Sequence, residues 1–295
     1  MVVLNGCFRE SEERPEAIPV LSSAMSTGRF TDAQLVEASG LARSAIDSNV
    51  FWAQNDSGND PLLFAFDVTG RALGTVRVDG ARNRDWEALS VGPCDRGSCI
   101  YIGDVGDNDE RRAVVSVLRV REPLPHDSVT APAERLLFRY ADGPHDVESM
   151  WVAPDSAIYL LSKRPAQNEN REDRSARIYR IAPTAWHAAD TATADLVDSV
   201  PVVPLPRRGL GWITDAALLA RGNSGARLAV RTYRDVYVFG VDTTTWRTTG
   251  LIARCSLRQL KERDSGEGIA WLPDGRLMFD AEGRNARLHI GRCPG

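Results

Sequence analysis

The sequence predicts an all-β fold: a five-bladed β-propeller with four-stranded blades, in which an N-terminal strand closes the last blade. Two observations lead to this prediction. One short start motif recurs five times, at intervals of roughly 50 to 70 residues, and a fixed period is the mark of a repeat architecture. Each start is followed by runs rich in Ile, Val, Tyr and Phe between clusters of Gly, Pro, Asp or Asn, which is the pattern of strands.

The start motif is a small residue followed by an apolar one, often with an acidic residue just before the pair. The apolar anchors are Leu41, Leu89, Met150, Leu218 and Ile269. They lie in the segments EASGLARS (37–44), DWEALSVG (85–92), DVESMWVA (146–153), TDAALLAR (214–221) and SGEGIAWL (265–272). Repeated four-stranded sheets at this period are typical of a propeller. A pair of β-sandwiches is the alternative, but it gives no reason for one motif to recur five times.

The runs that follow the starts predict the remaining strands. Second strands are expected in VFWAQNDSG, CIYIGDVGDN, AIYLLSKR, RLAVRTY and RLMFDAEG, and further strands in LLFAFD, VSVLRVRE, ARIYRIA and VYVFGVD. The last unit contains only three strands, ending with ARLHIGR. We expect RFTDAQLVEA (29–38) to supply its outer strand, because closure leaves no open sheet edge. The propeller then spans 29–295, and residues 1–28 form a polar tether.

Composition excludes several classes of function. The chain of 295 residues is 43% hydrophobic and 26% charged, with a net charge of −4. Nucleic-acid binding needs a basic excess, so no nucleic-acid partner is expected. No stretch approaches the ~18 consecutive apolar residues of a membrane span. We expect a monomer that binds a small anionic ligand or a protein partner at the propeller face.

The five cysteines suggest export. Cys94 and Cys99 flank a short turn and can bridge a hairpin, and Cys255 can pair with Cys293 near the C-terminus. Paired cysteines in loop-rich places indicate an oxidising compartment, periplasmic or extracellular. LNGC (4–7) resembles a lipoprotein lipobox, in which Cys7 would carry a lipid and provide the sole membrane contact. The alternative is five reduced thiols in the cytosol.

The recurring acids have a common geometric meaning in a propeller. The first strand of each blade lines the central channel, and the loops that precede it and follow the second strand emerge on the same face. Two sets of polar residues are therefore expected at one channel mouth. Before and within the first strands they are Ser39, Asp85, Glu87, Asp146, Glu148, Asp215 and Glu267; after the second strands they are Asn55, Asp56, Asp104, Asp107, Asn108, Lys163, Arg164, Arg231, Tyr233, Asp280 and Glu282.

Carboxylates that crowd together raise one another's pKa, so they pair with bases, share protons or hold a cation. Oxygen ligands suit Ca²⁺ or Mg²⁺. In our hypothesis the ligands of the cation are Asp85, Glu87, Glu148 and Glu267. Asp146 or Asp107 would act as the general base. Lys163 and Arg231 would orient the substrate. The rim residues Ser39, Asn55, Asp56, Asp104, Asn108, Tyr233 and Glu282 would bind the ligand. Alternatively, each acid bonds to main-chain amides of the next blade and only staples the ring.

The motifs also occur in a recognisable order. NDSG (55–58), DWEAL (85–89), IGDVGDN (102–108), VLRVREP (117–123), the DxE pair (146–148), VRTY (230–233) and GEGIA (266–270) resemble an uncharacterised family of exported bacterial β-propellers over about residues 35–285. The acidic channel is more distantly similar to that of calcium-dependent propeller phytases, lactonases and phosphotriesterases. Those have six blades as a rule, whereas this chain has five starts, and Ala216 replaces the fourth glutamate.

Two functions remain open at this stage. The first is a cation-dependent hydrolase of an anionic or ester substrate at the channel mouth, in which the cation lowers the pKa of a bound water. The second is a non-enzymatic scaffold that binds a ligand or a protein. Fold alone does not choose between them, because propellers host both.

Overall fold

A computed structural model describes residues 18–95, 97–164, 175–201, 211–220, 225–260 and 266–294. Cys7 and most of the predicted tether lie outside these residues. The described strands are β1 (Ser22–Arg29), β2 (Ala38–Arg43), β3 (Phe51–Asn55), β4 (Leu62–Phe66), β5 (Ala72–Arg77), β6 (Trp86–Cys94), β7 (Gly97–Asp104), β8 (Val115–Arg121), β9 (Glu134–Tyr140), β10 (Val147–Val152), β11 (Ile158–Ser162), β12 (Ser175–Ile181), β13 (Ala192–Pro201), β14 (Ile213–Ala220), β15 (Ala226–Thr232), β16 (Asp235–Val241), β17 (Thr248–Ser256), β18 (Ile269–Trp271), β19 (Leu277–Phe279) and β20 (Arg287–Arg292).

The all-β prediction is confirmed. Among the described residues the helical element is a single 3₁₀ turn, Pro183–His187. No helix in the part of the chain that the structure covers has the length and apolar character needed to cross a membrane. All five predicted anchors lie in β2, β6, β10, β14 and β18, and the predicted second strands correspond to β3, β7, β11, β15 and β19.

The strands form antiparallel meanders. Three sheets have four strands each, in the orders β2-β3-β4-β5, β14-β15-β16-β17 and β1-β20-β19-β18. The remaining sheet has eight strands, because the meanders β6–β9 and β10–β13 are joined by a short parallel pairing of their last strands, β9 and β13. Short connections between sequential antiparallel strands explain why each meander follows the chain order.

The first strands of the meanders form a closed ring. Strand β2 lies beside β6, β6 beside β10, β10 beside β14, β14 beside β18, and β18 again beside β2. Strands β2, β6 and β10 are buried along most of their length, whereas the outer strand β9 alternates between buried and exposed residues. A strand enclosed on both faces carries a continuous apolar run, and an outer strand with one wet face alternates.

The hydrophobic core is divided among the interfaces between neighbouring meanders. One cluster joins Trp52 and Leu63 to Trp86 and Ile102, and the next joins Tyr101 and the strands around it to β10–β12. Three further clusters join the remaining neighbouring pairs, including the first meander with the last. Burial of apolar surface between successive sheets therefore holds the ring closed.

The closing strand differs from the predicted one. An N-terminal strand does complete the last sheet, but it is β1, which pairs antiparallel with β20, and not the segment 29–38. The predicted segment contributes Phe30 and Leu35 to the core between the first and last meanders. Its apolar residues therefore anchor a loop, while the largely polar β1 covers the sheet edge.

Both predicted disulfides are present. Cys94–Cys99 closes the β6–β7 hairpin, and Cys255–Cys293 connects β17 to the segment after β20. The first bridge spans 5 residues and the second 38. The second bridge therefore ties the last sheet of the ring to its neighbour.

Removal of the two bridges should cost different amounts of stability. In the chain-entropy description, loop length sets the loss, which is about 2 kcal/mol for Cys94→Ala/Cys99→Ala and about 4 kcal/mol for Cys255→Ala/Cys293→Ala. Urea unfolding under non-reducing conditions measures both values. An equal loss, or a larger loss for the short hairpin bridge, would contradict this assignment.

Candidate functional site

The repeated glutamates lie at β-bulges in the first strands. Between β6 and β7, Trp86 pairs with Asp104 and Ala88 with Gly103, so Glu87 is the extra residue. Between β10 and β11, Val147 and Ser149 pair with consecutive residues, which leaves Glu148 as the extra one. A bulge re-aims the side chain of its extra residue and is common beside functional sites. The bulges thus turn both glutamates out of the strand ladder.

Two other first strands are bulged at the same level. In β2 the register shifts between Ala38 and Leu41, around Ser39 and Gly40, and in β14 it shifts between Ile213 and Asp215. Gly40 has a φ of +88°, a conformation that suits glycine. The recurrence of the start motif therefore corresponds to a recurrent backbone irregularity at one end of the ring.

The bulges in β2, β6 and β10 border a cavity of about 150 Å³, here called the acidic cavity. Six carboxylates and one ammonium group are among its lining groups. The lining residues are Glu37, Ala38, Ser39, Asp56, Glu87, Asn108, Glu148, Lys163, Tyr233, Glu267 and Glu282. Eight of the predicted rim and metal residues are therefore brought together, along with the predicted catalytic Lys163.

Hydrogen bonds hold two of the cavity carboxylates, one across neighbouring meanders and one within a meander. The Ser39 hydroxyl donates to the Glu87 carboxylate over 2.9 Å. The Lys163 ammonium donates to Glu148 and lies 3.8 Å from Asp146. No hydrogen bond from the described residues reaches the Glu267 carboxylate, although its side chain is 91% buried. Glu267 is thus a buried cavity carboxylate with spare acceptor capacity.

Burial is the largest influence on the pKa values of the cavity glutamates. It raises the pKa of Glu148 to about 7, while the nearby Lys163 ammonium opposes the rise. Burial, together with the charge of Glu148, raises the pKa values of Glu87 and Glu267 well above the ordinary range. Burial lowers the pKa of Lys163, but the carboxylates of Glu148 and Asp146 outweigh it, so that pKa is raised. Burial thus raises the pKa of all three cavity glutamates above the ordinary value of 4.5.

A cluster of three carboxylates lies at the edge of the cavity and shares two residues with its lining. Single oxygens of Asp56, Asp85 and Glu87 lie within 4.8 Å of one another. Burial and the charge of Asp56 raise the pKa of Asp85 to about 6, despite the nearby Arg112. At Gly106 a Cβ atom would lie 2.6 Å from the Asp85 carboxylate and 2.7 Å from Glu87. Glycine at 106 therefore lets the main chain approach both acids.

Arg231 and Asp280 lie inside the protein and not on the cavity wall. The Arg231 guanidinium donates to the carbonyl oxygens of Gly268 and Asp280, the latter over 2.9 Å. The Asp280 carboxylate accepts the N–H of Gly268 and lies 3.7 Å from Arg231. These contacts hold the segment before β18 against β15. Arg231, predicted to orient a substrate, is buried in this contact and does not line the cavity.

Asp215 has the stapling role that was the alternative prediction. Its carboxylate accepts the N–H of Ile269 in the next meander over 2.8 Å and the N–H of Ala216 over 2.7 Å. Burial still raises its pKa well above the ordinary range, although both N–H groups oppose the rise. Asp215 therefore joins β14 to β18.

Four other predicted residues also have structural partners outside the cavity lining. Asp146 accepts the N–H of Asp107 over 3.0 Å, and Asp107 in turn accepts the N–H of Arg112 over 2.6 Å. Asp104 forms a 2.8 Å ion pair with Arg112. Asn55 accepts the N–H groups of residues 36 and 37 over 2.9 and 3.0 Å. The two predicted bases, Asp146 and Asp107, thus brace the loop after β7.

Sequence reasoning missed two contributors. Glu37 lines the cavity, and its place at the head of the first start motif was the available signal. Asn83 donates to the carbonyl oxygens of Asn55 and Asp56 over 3.0 and 2.7 Å and accepts the N–H of Trp86 over 3.2 Å. It fixes the Asp56 loop against β6, and nothing in its sequence neighbourhood marks that role.

No protein-family model and no curated protein sequence matches this chain. Several solved structures resemble it in fold. A glucose dehydrogenase has a TM-score of 0.51 at 10% identity, covering 92% of this chain and 100% of the other. The apo-form soluble aldose sugar dehydrogenase from Escherichia coli has a TM-score of 0.50 at 12% identity, covering 92% and 99%.

An exo-β-1,3-galactanase from Phanerochaete chrysosporium has a TM-score of 0.54 at 12% identity, covering 90% of this chain and 64% of the other. At such identities the likeness concerns the fold alone. The dehydrogenase neighbours are propeller-type proteins, and together with the ring of meanders they identify the fold as a β-propeller.

The raised carboxyl pKa values make stability depend on pH. The native state retains protons that the unfolded chain releases above its own pKa of about 4 to 4.5, so the unfolding free energy falls as pH rises through 6 to 7. The expected slope is about 1.4 kcal/mol per pH unit for each retained proton. Urea unfolding between pH 5 and pH 8, in buffer stripped of divalent cations, measures it.

Variants of cavity residues, compared with an exposed control, test whether the cavity carboxyls cause this pH dependence of the unfolding free energy. Glu148→Gln and Glu267→Gln should flatten it, whereas Asp60→Asn, at a carboxylate that is 73% exposed, should leave it unchanged. If the unfolding free energy of the unsubstituted protein increased between pH 5 and pH 8, the native state would not retain more protons than the unfolded chain, and the prediction would be wrong.

Proposed function

We propose that this chain is an exported, five-bladed β-propeller that binds Ca²⁺ or Mg²⁺ at the acidic cavity and hydrolyses an anionic or ester substrate there. The observation that carries the proposal is the charge of the cavity, six carboxylates against one ammonium group in about 150 Å³. Buried carboxylates without enough counter-charge need protons or a cation. At neutral pH and millimolar divalent ion, a cation is the available counter-charge.

The five-blade count is supported by the meanders and their interfaces. The eight-stranded sheet divides into two antiparallel meanders, because its central pairing, β9 with β13, joins the outer strands over only three residue pairs. Counted in this way, each first strand belongs to its own blade and carries one start motif. The ordered motifs support membership of the exported bacterial propeller family that they resemble.

The ligand set nearest to a cation geometry is Asp56, Asp85 and Glu87. Oxygens bound to one Ca²⁺ at about 2.4 Å each lie at most about 4.8 Å apart, and the three carboxylates meet that limit. The hard oxygen donors exclude a preference for a soft metal. In this ligand set Asp56, predicted as a rim residue, becomes a cation ligand. Glu148 and Glu267, predicted as cation ligands, are not part of the set.

The remaining cavity residues are suited to proton transfer and anion binding. A bound divalent cation would supply a water of lowered pKa at the cavity. Glu267, buried and free of hydrogen bonds from the described residues, is suited to move a proton to or from that position at neutral pH. Lys163 is held by Glu148 and presents the cavity's positive charge to an anionic group, while Tyr233 can donate a hydrogen bond.

Binding without turnover is the second candidate. The specific observation in its favour is that Asp107, Asp146 and Arg231, three of the four predicted catalytic residues, are engaged in structural bonds. The propeller face would then bind a small anionic ligand or a protein partner, with the chain a monomer. Export is supported by the two disulfides, and lipidation at Cys7 remains part of the proposal.

Cation binding should raise the melting temperature. Selective binding to the native state stabilises it by about 2.7 kcal/mol at one hundred times Kd. Thermal melts after treatment with chelating resin, then with added Ca²⁺ or Mg²⁺, measure the shift. The shift should be smaller at pH 5, where protons occupy the carboxylates, than at pH 8. Asp85→Asn should abolish it, and the exposed control Asp60→Asn should retain it.

Turnover is tested by screening phosphoesters, lactones and aryl esters with and without the cation. We expect hydrolysis that requires the cation and falls at least about a hundredfold in Glu267→Gln, the loss typical of a proton-transfer group. Glu148→Gln should also lower the rate. A cation-induced shift without turnover would favour the binding propeller, and unchanged activity in both variants would place the site elsewhere.

A further inference from the structure

A second cavity adjoins the acidic one but has the opposite charge. It encloses about 510 Å³, within the ~300 to 1,000 Å³ of small-molecule sites. Four arginines and one aspartate supply its charges. We call it the arginine groove, defined by Arg82, Arg84, Arg112, Arg135 and Asp104. Its lining comes mainly from the loop before β6, the end of β7, the loop before β8, and the strands β8 and β9.

Only one of these arginines is neutralised within the part of the chain that the structure describes. Arg112 pairs with Asp104 over 2.8 Å, and both side chains are largely buried. For Arg82, Arg84 and Arg135 no carboxylate of the described residues lies within 4.0 Å. Guanidinium groups stay charged at any physiological pH. Three uncompensated positive charges therefore face one concave surface of a protein whose net charge is −4.

The groove also has apolar walls. Val114 and Leu137 line it and are 41% and 47% exposed, among the most exposed large apolar side chains described. A site that combines several guanidinium groups with aliphatic side chains suits an organic anion, whose carbon skeleton covers the apolar surface. Each guanidinium can bind an oxyanion group through two parallel hydrogen bonds.

The groove and the acidic cavity are separated by one hydrogen-bonded contact. Asn83 lines the groove, and its amide donates to the main-chain oxygen of Asp56, which lines the acidic cavity. An oxyanion is repelled by the carboxylates on one side of this contact and attracted by the arginines on the other. The arginines therefore make the groove an anion site in its own right, and this charge does not depend on a cation in the acidic cavity.

We propose that the arginine groove is a binding site for a small organic molecule that carries two or more phosphate or carboxylate groups. The proposal does not depend on hydrolysis or on cation binding at the acidic cavity. Three unpaired guanidinium groups favour a ligand of at least two negative charges, because a single charge would leave most of the repulsion between them uncompensated.

Calorimetric titration of the full chain tests this site. The probes are pyrophosphate and citrate, with acetate as the singly charged comparison, at fixed ionic strength in buffer stripped of divalent cations. We expect saturable binding of at least one probe with one molecule per chain, and weaker binding of acetate. Arg82→Gln/Arg84→Gln should weaken it at least about tenfold, and Arg135→Gln should also weaken it, as expected for lost charge-assisted hydrogen bonds.

The control variant Arg71→Gln/Arg77→Gln removes the same charge from side chains that are 70% and 53% exposed elsewhere on the surface. It should leave the Kd within about twofold, since distant exposed charges are screened by salt. Pyrophosphate preference identifies phosphate groups, and citrate preference identifies carboxylates. The proposal is overturned if neither probe binds saturably, if acetate binds as tightly, or if the control weakens binding as much as the groove variants.

Discussion

The arrangement of the candidate site depends on one extra residue in the first strand of each bulged blade. A regular strand would send alternate side chains into the two sheet interfaces, where a carboxylate has no room among Leu, Met and Ala. The bulges at Glu87 and Glu148 release these residues from the ladder and turn them toward the ring axis. The apolar anchors after each bulge, Leu89 and Met150, remain buried. Each bulge thus places a glutamate at the cavity while the apolar anchor after it stays in the core.

The acidic position of the start motif has different contacts in different blades, so the ring is not symmetric. Where the glutamate is absent, at Ala216, the neighbouring Asp215 bonds to Ile269 and links two blades. Arg231 and Asp280 form a second internal link beside it. The carboxylates of Glu87, Glu148 and Glu267 are left at the open end. Stapling was predicted as the alternative for every acid, but among these residues Asp215 has that role, whereas Glu87, Glu148 and Glu267 line the acidic cavity.

Much of the fold was predictable from local pattern, because apolar runs and the recurring motif can be recognised in one sequence. The closing strand was misplaced because β1 is mostly exposed and carries no apolar signal, while Phe30 and Leu35 give the following loop a strand-like appearance. The convergence of Ser39, Glu87, Glu148 and Glu267 followed from the repeat. The engagement of Asp107 and Arg231 did not, because their partners are backbone groups that only the folded chain brings near. The start motif recurs at the bulges, but the motif alone does not show that its acidic residue is the extra one in the strand pairing.

The central claim is that buried carboxylates of different blades share one small volume, and their individual titrations test it most directly. Carbon-13 NMR of side-chain carboxyls, assigned with Glu87→Gln, Glu148→Gln and Glu267→Gln in buffer without divalent cations, reports each midpoint. The account predicts that all three titrate above the ordinary value of 4.5, with Glu148 near 7, and that Glu148→Gln lowers the midpoints of Glu87 and Glu267. Three independent curves with midpoints at or below 4.5 would contradict it.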